Sequence, residues 1–185
     1  MQRPTPTAPA ELACLDQLRR ASGASDGPME RHCLRVDMLA RAMASERGLA
    51  LDDEVVLCAA LLHDIGLYPA ASRGGVYTDD GAELARETLV PLGWGSERIE
   101  LCAAAISQHH ALRSQSGLGA EVELVRCADL TDVSAGLVPN GLPRATIREI
   151  FATVPRSGTY RHIGGLVGRA LRERPITVPQ IFKLH

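Results

Sequence analysis

An imidazole and a carboxylate stand side by side at His63-Asp64, at the end of the run Leu57-Cys58-Ala59-Ala60-Leu61-Leu62. A segment apolar nearly all round reads as a helix buried on every side. Burying both polar groups there is costly unless something satisfies them, and a metal cation satisfies both at once. His32 upstream and Asp129 downstream, each on a helix of its own, fit the same chemistry. Two imidazoles and two carboxylates suit one divalent transition metal ion: zinc, iron, manganese, cobalt or nickel. The set has no thiolate and too few oxygens to favour calcium. With an open position, such an ion acidifies bound water into a nucleophile near neutral pH.

Four residues so far apart can meet only if helices carry them inward. The spacing predicts a helix over about 28–47, with Asp26 as cap, Pro28 in the first turn and Gly48 as stop. Its inner stripe is Met29, His32, Val36, Leu39 and Met43, at steps of three and four. Asp52 or Asp53 caps the helix that ends at His63-Asp64, and Gly66 is expected to stop it in the left-handed conformation. A mouth loop over 67–78 follows. Asp80 to Glu83 resembles a capping box for a helix through about Leu89. Ser96 caps a helix whose stripe runs from Ile99 to His110. A helix over about 120–135 places Val122, Val125, Asp129 and Val133 on one stripe. Shorter helices are expected over about 11–21, 144–153 and 159–172; in the last, Gly164 and Gly168 would permit close backbone approach. The tail from Pro175 is expected to be extended. No alternating strand is present, so the fold class is all-α: one domain of six to eight helices over 10–185, behind a disordered tail over 1–9.

The order His32, then His63-Asp64 within Leu61-Leu62-His63-Asp64-Ile65-Gly66, then Asp129 within Arg126-Cys127-Ala128-Asp129 resembles the HD superfamily of metal-dependent hydrolases. The resemblance runs from about Arg31 to about Asp132 and implies the same all-α bundle. It also implies that Asp64 both ligates the ion and accepts a proton from water. Relatives with two metals carry a histidine before a helix that opens Gly-Ala. Here that stretch is Tyr77-Thr78-Asp79-Asp80-Gly81-Ala82, without one. The resemblance therefore implies a single metal, with His109 or His110 facing the substrate. It selects Asp129, of Ala128-Asp129-Leu130, as ligand. Asp132, one turn on, is left to bond a metal-bound water or a substrate group. Arg113 after the histidine pair, like Arg73 and Arg156, could hold a phosphate or carboxylate.

The implied activity is hydrolysis of a small molecule, by default a phosphate ester such as a nucleotide. Leu67, where many relatives have lysine, Asp79-Asp80-Gly81-Ala82 and Val154-Pro155-Arg156 are similar to the branch containing cyanamide hydratase, so hydration of a small nitrile is an alternative. Iron-dependent oxygenation and a non-catalytic ligand-binding module are the others.

Composition narrows the partners. Among 185 residues, 20 basic against 22 acidic give a net charge of −2, and aromatics are 3%. With no basic run and few stacking rings, nucleic acid is not an expected partner. No stretch is long and apolar enough to span a membrane. The five cysteines cannot all pair and have no CxxC spacing. They read as buried free thiols in a reducing compartment, so the expected location is cytoplasmic.

Overall fold

The computed structural model describes residues 2–173 and Gln180, and among these there are eight α-helices and no strand. They are α1 (Pro9–Ser22), α2 (Pro28–Arg47), α3 (Asp53–Leu62), α4 (Tyr77–Leu89), α5 (Ser96–Ser107), α6 (Ala120–Val133), α7 (Arg144–Thr153) and α8 (Thr159–Glu173). The extended tail expected from Pro175 lies outside the described residues, Gln180 apart. No helix among the described residues is long and apolar enough to cross a membrane.

Two helices form the axis. Helix α3 is buried along its whole length from Val55 to Leu62, and α2 is buried on nearly every side from Met29 to Ala44. Helix α6 packs along α2, α5 packs against α3 and α6, and α4 pairs with α5. Helix α1 covers α3, while α7 and α8 lie against α2. The stripe Met29, His32, Val36, Leu39 and Met43 is buried throughout, so His32 points into the protein. Asp52 is the cap of α3, accepting a hydrogen bond from the Val55 amide at 3.2 Å, a contact worth about 1 kcal/mol. Arg98 of α5 forks onto Asp52 at 2.7 and 2.9 Å and stacks on Trp94, fastening α5 to that end of α3. All five cysteines are free and buried.

Several local expectations are corrected. Gly66 is not left-handed: it is absent from the residues of positive φ. His63 ends α3 in ordinary helical geometry, and Asp64 leads into a 3-10 turn over Ile65–Leu67. Gly66 is required instead by close approach, since a Cβ there would stand 2.1 Å from the Tyr77 carbonyl oxygen. Helix α4 begins at Tyr77, three residues before the expected box. Asp80 does not cap it; its Oδ2 accepts from the Arg73 amide at 2.8 Å and the Ser72 hydroxyl at 3.2 Å, tying back the mouth loop. Gly27 and Gly95, not Asp26 and Ser96, hold the cap positions of α2 and α5. Helix α5 stops at Ser107, which leaves His109 and His110 in the turn beyond it. Among the described residues Gly164 and Gly168 approach no other backbone, for a Cβ at either meets nothing within 4 Å.

Candidate metal centre

The centre lies where α2, the end of α3, the turn after α5 and α6 meet. Helix α2 brings His32, the chain leaving α3 brings His63 and Asp64, and α6 brings Asp129. All four are at least 95% buried, His32 and His63 completely. His32 Nε2 is 3.1 Å from His63 Nε2, 3.3 Å from Asp129 Oδ1 and 3.7 Å from Asp64 Oδ2. His63 Nε2 is 3.5 Å from Asp64 Oδ2 and 3.7 Å from Asp129 Oδ1. One atom from each residue therefore points at a common space.

The backs of the rings decide what that space can hold. His63 Nδ1–H donates to the Ala60 carbonyl at 2.8 Å, one of the acceptors that the end of α3 leaves without a helical partner. His32 Nδ1–H donates to Asp132 Oδ2 at 2.7 Å. In the neutral rings, with the proton on Nδ1, both Nε2 atoms would present lone pairs to each other and to two carboxylates. Four acceptors facing one another are unfavourable without a cation among them. Donor atoms about 2.1 Å from one ion stand roughly 3.0 to 3.4 Å apart in octahedral or tetrahedral arrangement. The shorter observed separations lie in that range, so the residues fit a transition metal.

The electrostatics report the same demand for positive charge. Burial lowers the pKa of His32, but the carboxylates of Asp129 and Asp132 outweigh it and raise it to about 9. His63 is raised well above its ordinary value, Asp64 and Asp129 overriding burial. Asp129 is held far below the carboxylate range by His32 and His63 in spite of burial, and Asp64 is held low chiefly by His63 and His109.

A second group of side chains borders the first. His109 is buried and donates from Nδ1–H to the Ile106 carbonyl at 2.7 Å, turning Nε2 toward Asp64 Oδ1 at 3.6 Å. The Tyr77 hydroxyl donates to that Nε2 at 3.3 Å. Burial and the charges of Asp64 and Asp129 keep the Tyr77 phenol protonated. His110 is the most open of the set, its side chain 31% exposed and its Nδ1 3.7 Å from Asp129 Oδ2. Burial and neighbouring His109 lower its pKa to about 4, which leaves it neutral. Three overlapping donor groups result: His32, His63 and Asp129; His63, Asp64 and His109; and His109, His110 and Asp129.

One expected substrate contact is placed otherwise. Asp132 is fully buried behind His32, its carboxylate taken by His32 and by Nε and NH2 of Arg35, so it is turned away from the surface. Arg113 lies exposed on the loop after the histidine pair. Of the other arginines considered, Arg73 pairs with Glu87, and Arg156 is stacked between Phe151 and Tyr160 with a hydrogen bond to the Asp132 carbonyl. The sequence reading missed Arg35 and took Tyr77 only as the absence of a histidine. Arg35 carried a signal: it stands one turn beyond His32, as Asp132 stands one turn beyond Asp129.

Residues 29–135 match a family model described as HD domain. Among solved structures, the chain is similar to a protein from an uncultured Thermotogales bacterium described as a predicted HD superfamily hydrolase. The two are 24% identical, with 86% of this chain and 90% of that one covered and a TM-score of 0.53; the likeness is one of fold. No curated protein matches the chain.

Proposed function

Since the chain belongs to the HD domain family, we propose that it is a metal-dependent hydrolase acting on a small molecule, by default a phosphate ester such as a nucleotide. The observation that carries this is the convergence of four acceptor atoms, with His32 Nε2 and His63 Nε2 only 3.1 Å apart and both ring protons committed elsewhere. His32, His63, Asp64 and Asp129 would hold one divalent ion. When bound, it would supply Lewis acidity and lower the pKa of water at the site. Asp64, 5% exposed, would be the carboxylate that takes the proton from that water. His109 Nε2, which accepts from the Tyr77 hydroxyl, borders Asp64 with 3.6 Å between Nε2 and Oδ1. His110, neutral and partly open, would face the substrate, with Arg113 on the loop beyond it.

Hydration of a small nitrile is the second reading. What favours it is that Arg73 and Arg156 are both engaged by protein groups rather than held open for a phosphate. The test is metal analysis of the purified chain with a panel of phosphomonoesters, nucleotides and cyanamide. Activity on a phosphate ester that rises with zinc, manganese or iron supports the first reading, and activity on cyanamide alone replaces it with the second. Asp129→Asn removes a ligand charge and is expected to lose metal and activity together. An Asp129→Asn chain with full metal and full turnover overturns the assignment.

A further inference from the structure

The contact between α2 and α6 is built of two rungs with the same spacing on both helices. His32 and Arg35 are one turn apart on α2; Asp129 and Asp132 are one turn apart on α6. The first rung, His32 Nε2 to Asp129 Oδ1 at 3.3 Å, belongs to the metal centre. In the second, Arg35 Nε meets Asp132 Oδ1 at 2.7 Å and its NH2 meets Oδ2 at 2.9 Å, with both side chains 0% exposed. The rungs are joined by His32 itself, whose Nδ1–H donates to the same Asp132 Oδ2 at 2.7 Å.

Arg35 has donors to spare, and they leave the two helices. NH1 donates to the Pro155 carbonyl and NH2 to the hydroxyl of Thr159, each at 3.1 Å. Thr159 is buried at the start of α8, so the turn between α7 and α8 is fastened directly to the back of the centre. Arg156, in that turn, hydrogen-bonds the Asp132 carbonyl. Arg31 adds a bond to the Ser157 carbonyl at 3.1 Å. These contacts come from residues beyond 135, where the family match ends.

We propose that Arg35 and Asp132 are positioning residues of the metal centre, and that through them the α7–α8 turn is part of that centre. Asp132 fixes which nitrogen of His32 carries the proton: an acceptor on Nδ1 keeps the proton there and leaves the Nε2 lone pair for the ion. A lone buried carboxylate in that place would be costly. Arg35 offsets its charge with two parallel bonds, a geometry that lysine cannot reproduce. Pro155 and Thr159 in turn hold the guanidinium, so loosening the turn loosens the fork, the carboxylate and finally the ring.

The inference rests on the proposed ion site, and the experiment separates the two. Zinc affinity is measured by chelator competition on the full chain and on Asp132→Asn, Arg35→Lys and Thr159→Val. Alongside are the melting temperature of each metal-free protein and the ring 15N shifts of His32, which report its tautomer. Asp132→Asn is expected to weaken zinc binding by about 10- to 100-fold and to populate the Nε2–H form of His32. Arg35→Lys should act in the same direction. Thr159→Val, which keeps every charge and ligand, should weaken zinc binding several-fold. Folded variants that bind zinc as tightly as the parent overturn the proposal. So does a fall in melting temperature with His32 tautomer and zinc affinity unchanged, because that is all a merely structural ion pair would show. If Asp132→Asn fails to fold, Thr159→Val decides. A parent chain that binds no divalent ion overturns the metal centre itself and this inference with it.

Discussion

Gly66→Ala tests whether the carboxylate of Asp64 is aimed by a backbone contact rather than by its own helix. The added Cβ would stand 2.1 Å from the Tyr77 carbonyl oxygen, 2.9 Å from its carbon and 3.1 Å from its Cα. All three are backbone atoms, so no side chain can turn aside. Reaching even 3.0 Å requires the 3-10 turn and the start of α4 to part by about 0.9 Å. Overpacking against movable side chains costs typically 1–3 kcal/mol, so a backbone clash should cost about 3 kcal/mol or more. In a chain of this size that lowers the melting temperature by roughly 6–12 °C. The movement cannot spare the centre. On one side the Leu67 amide bonds the Asp64 carbonyl at 3.1 Å, and on the other the Tyr77 phenol meets His109. A misplacement of about 1 Å can cost on the order of 100-fold in turnover. The control is Gly164→Ala in α8, where the Cβ meets nothing within 4 Å among the described residues; there the better helix former should add up to about 1 kcal/mol. The assay is thermal unfolding of both variants and the parent, with bound metal measured on each. A Gly66→Ala chain that melts with the parent and keeps its metal refutes the reasoning, as does a destabilised Gly164→Ala.

Chelation should lower the melting temperature of the metal-loaded chain, and zinc, iron or manganese should restore it. At free metal 100-fold above Kd the difference is about 2.7 kcal/mol, and no change on verified removal of metal counts against an ion joining α2, α3 and α6. Asp37 supplies a pH test away from the centre. Its Oδ1 accepts from Arg41 at 2.8 Å, its Oδ2 is buried without a hydrogen-bond partner among the described residues, and burial outweighs Arg41 to raise its pKa from 3.8 to about 6. A carboxyl raised on folding stabilises below its unfolded pKa and loses that contribution as pH rises through the folded value. Asp37→Asn should therefore gain about 3 kcal/mol relative to the parent between pH 3.5 and pH 8. Denaturant unfolding at the two pH values measures it, and a constant difference would exclude the effect.

Helical periodicity and polarity made much of the centre legible. His32 and Asp129 sit on apolar stripes and His63-Asp64 ends the most apolar run, so burial and convergence were implied wherever the helices packed. The all-α architecture was legible for the same reason: steps of three and four recur throughout, and nothing alternates. Periodicity tells which face of a helix turns inward but not what lies across from it. Asp132 shares its face with Asp129, and only the packing of α2 on α6 shows that one turn separates a carboxylate beside His32 Nε2 from one behind the ring at Nδ1. Gly66 looked like a helix stop, because a left-handed turn is a local property readable along the chain. Its actual constraint is the Tyr77 carbonyl, brought there by the placement of α4. The arginines were undetermined for a further reason. A long cationic side chain reaches across several turns of backbone, so its partner is set by three-dimensional neighbours such as Pro155, Thr159 and Asp132. Those lie about a hundred or more residues from Arg35 in sequence, and only tertiary packing brings them together.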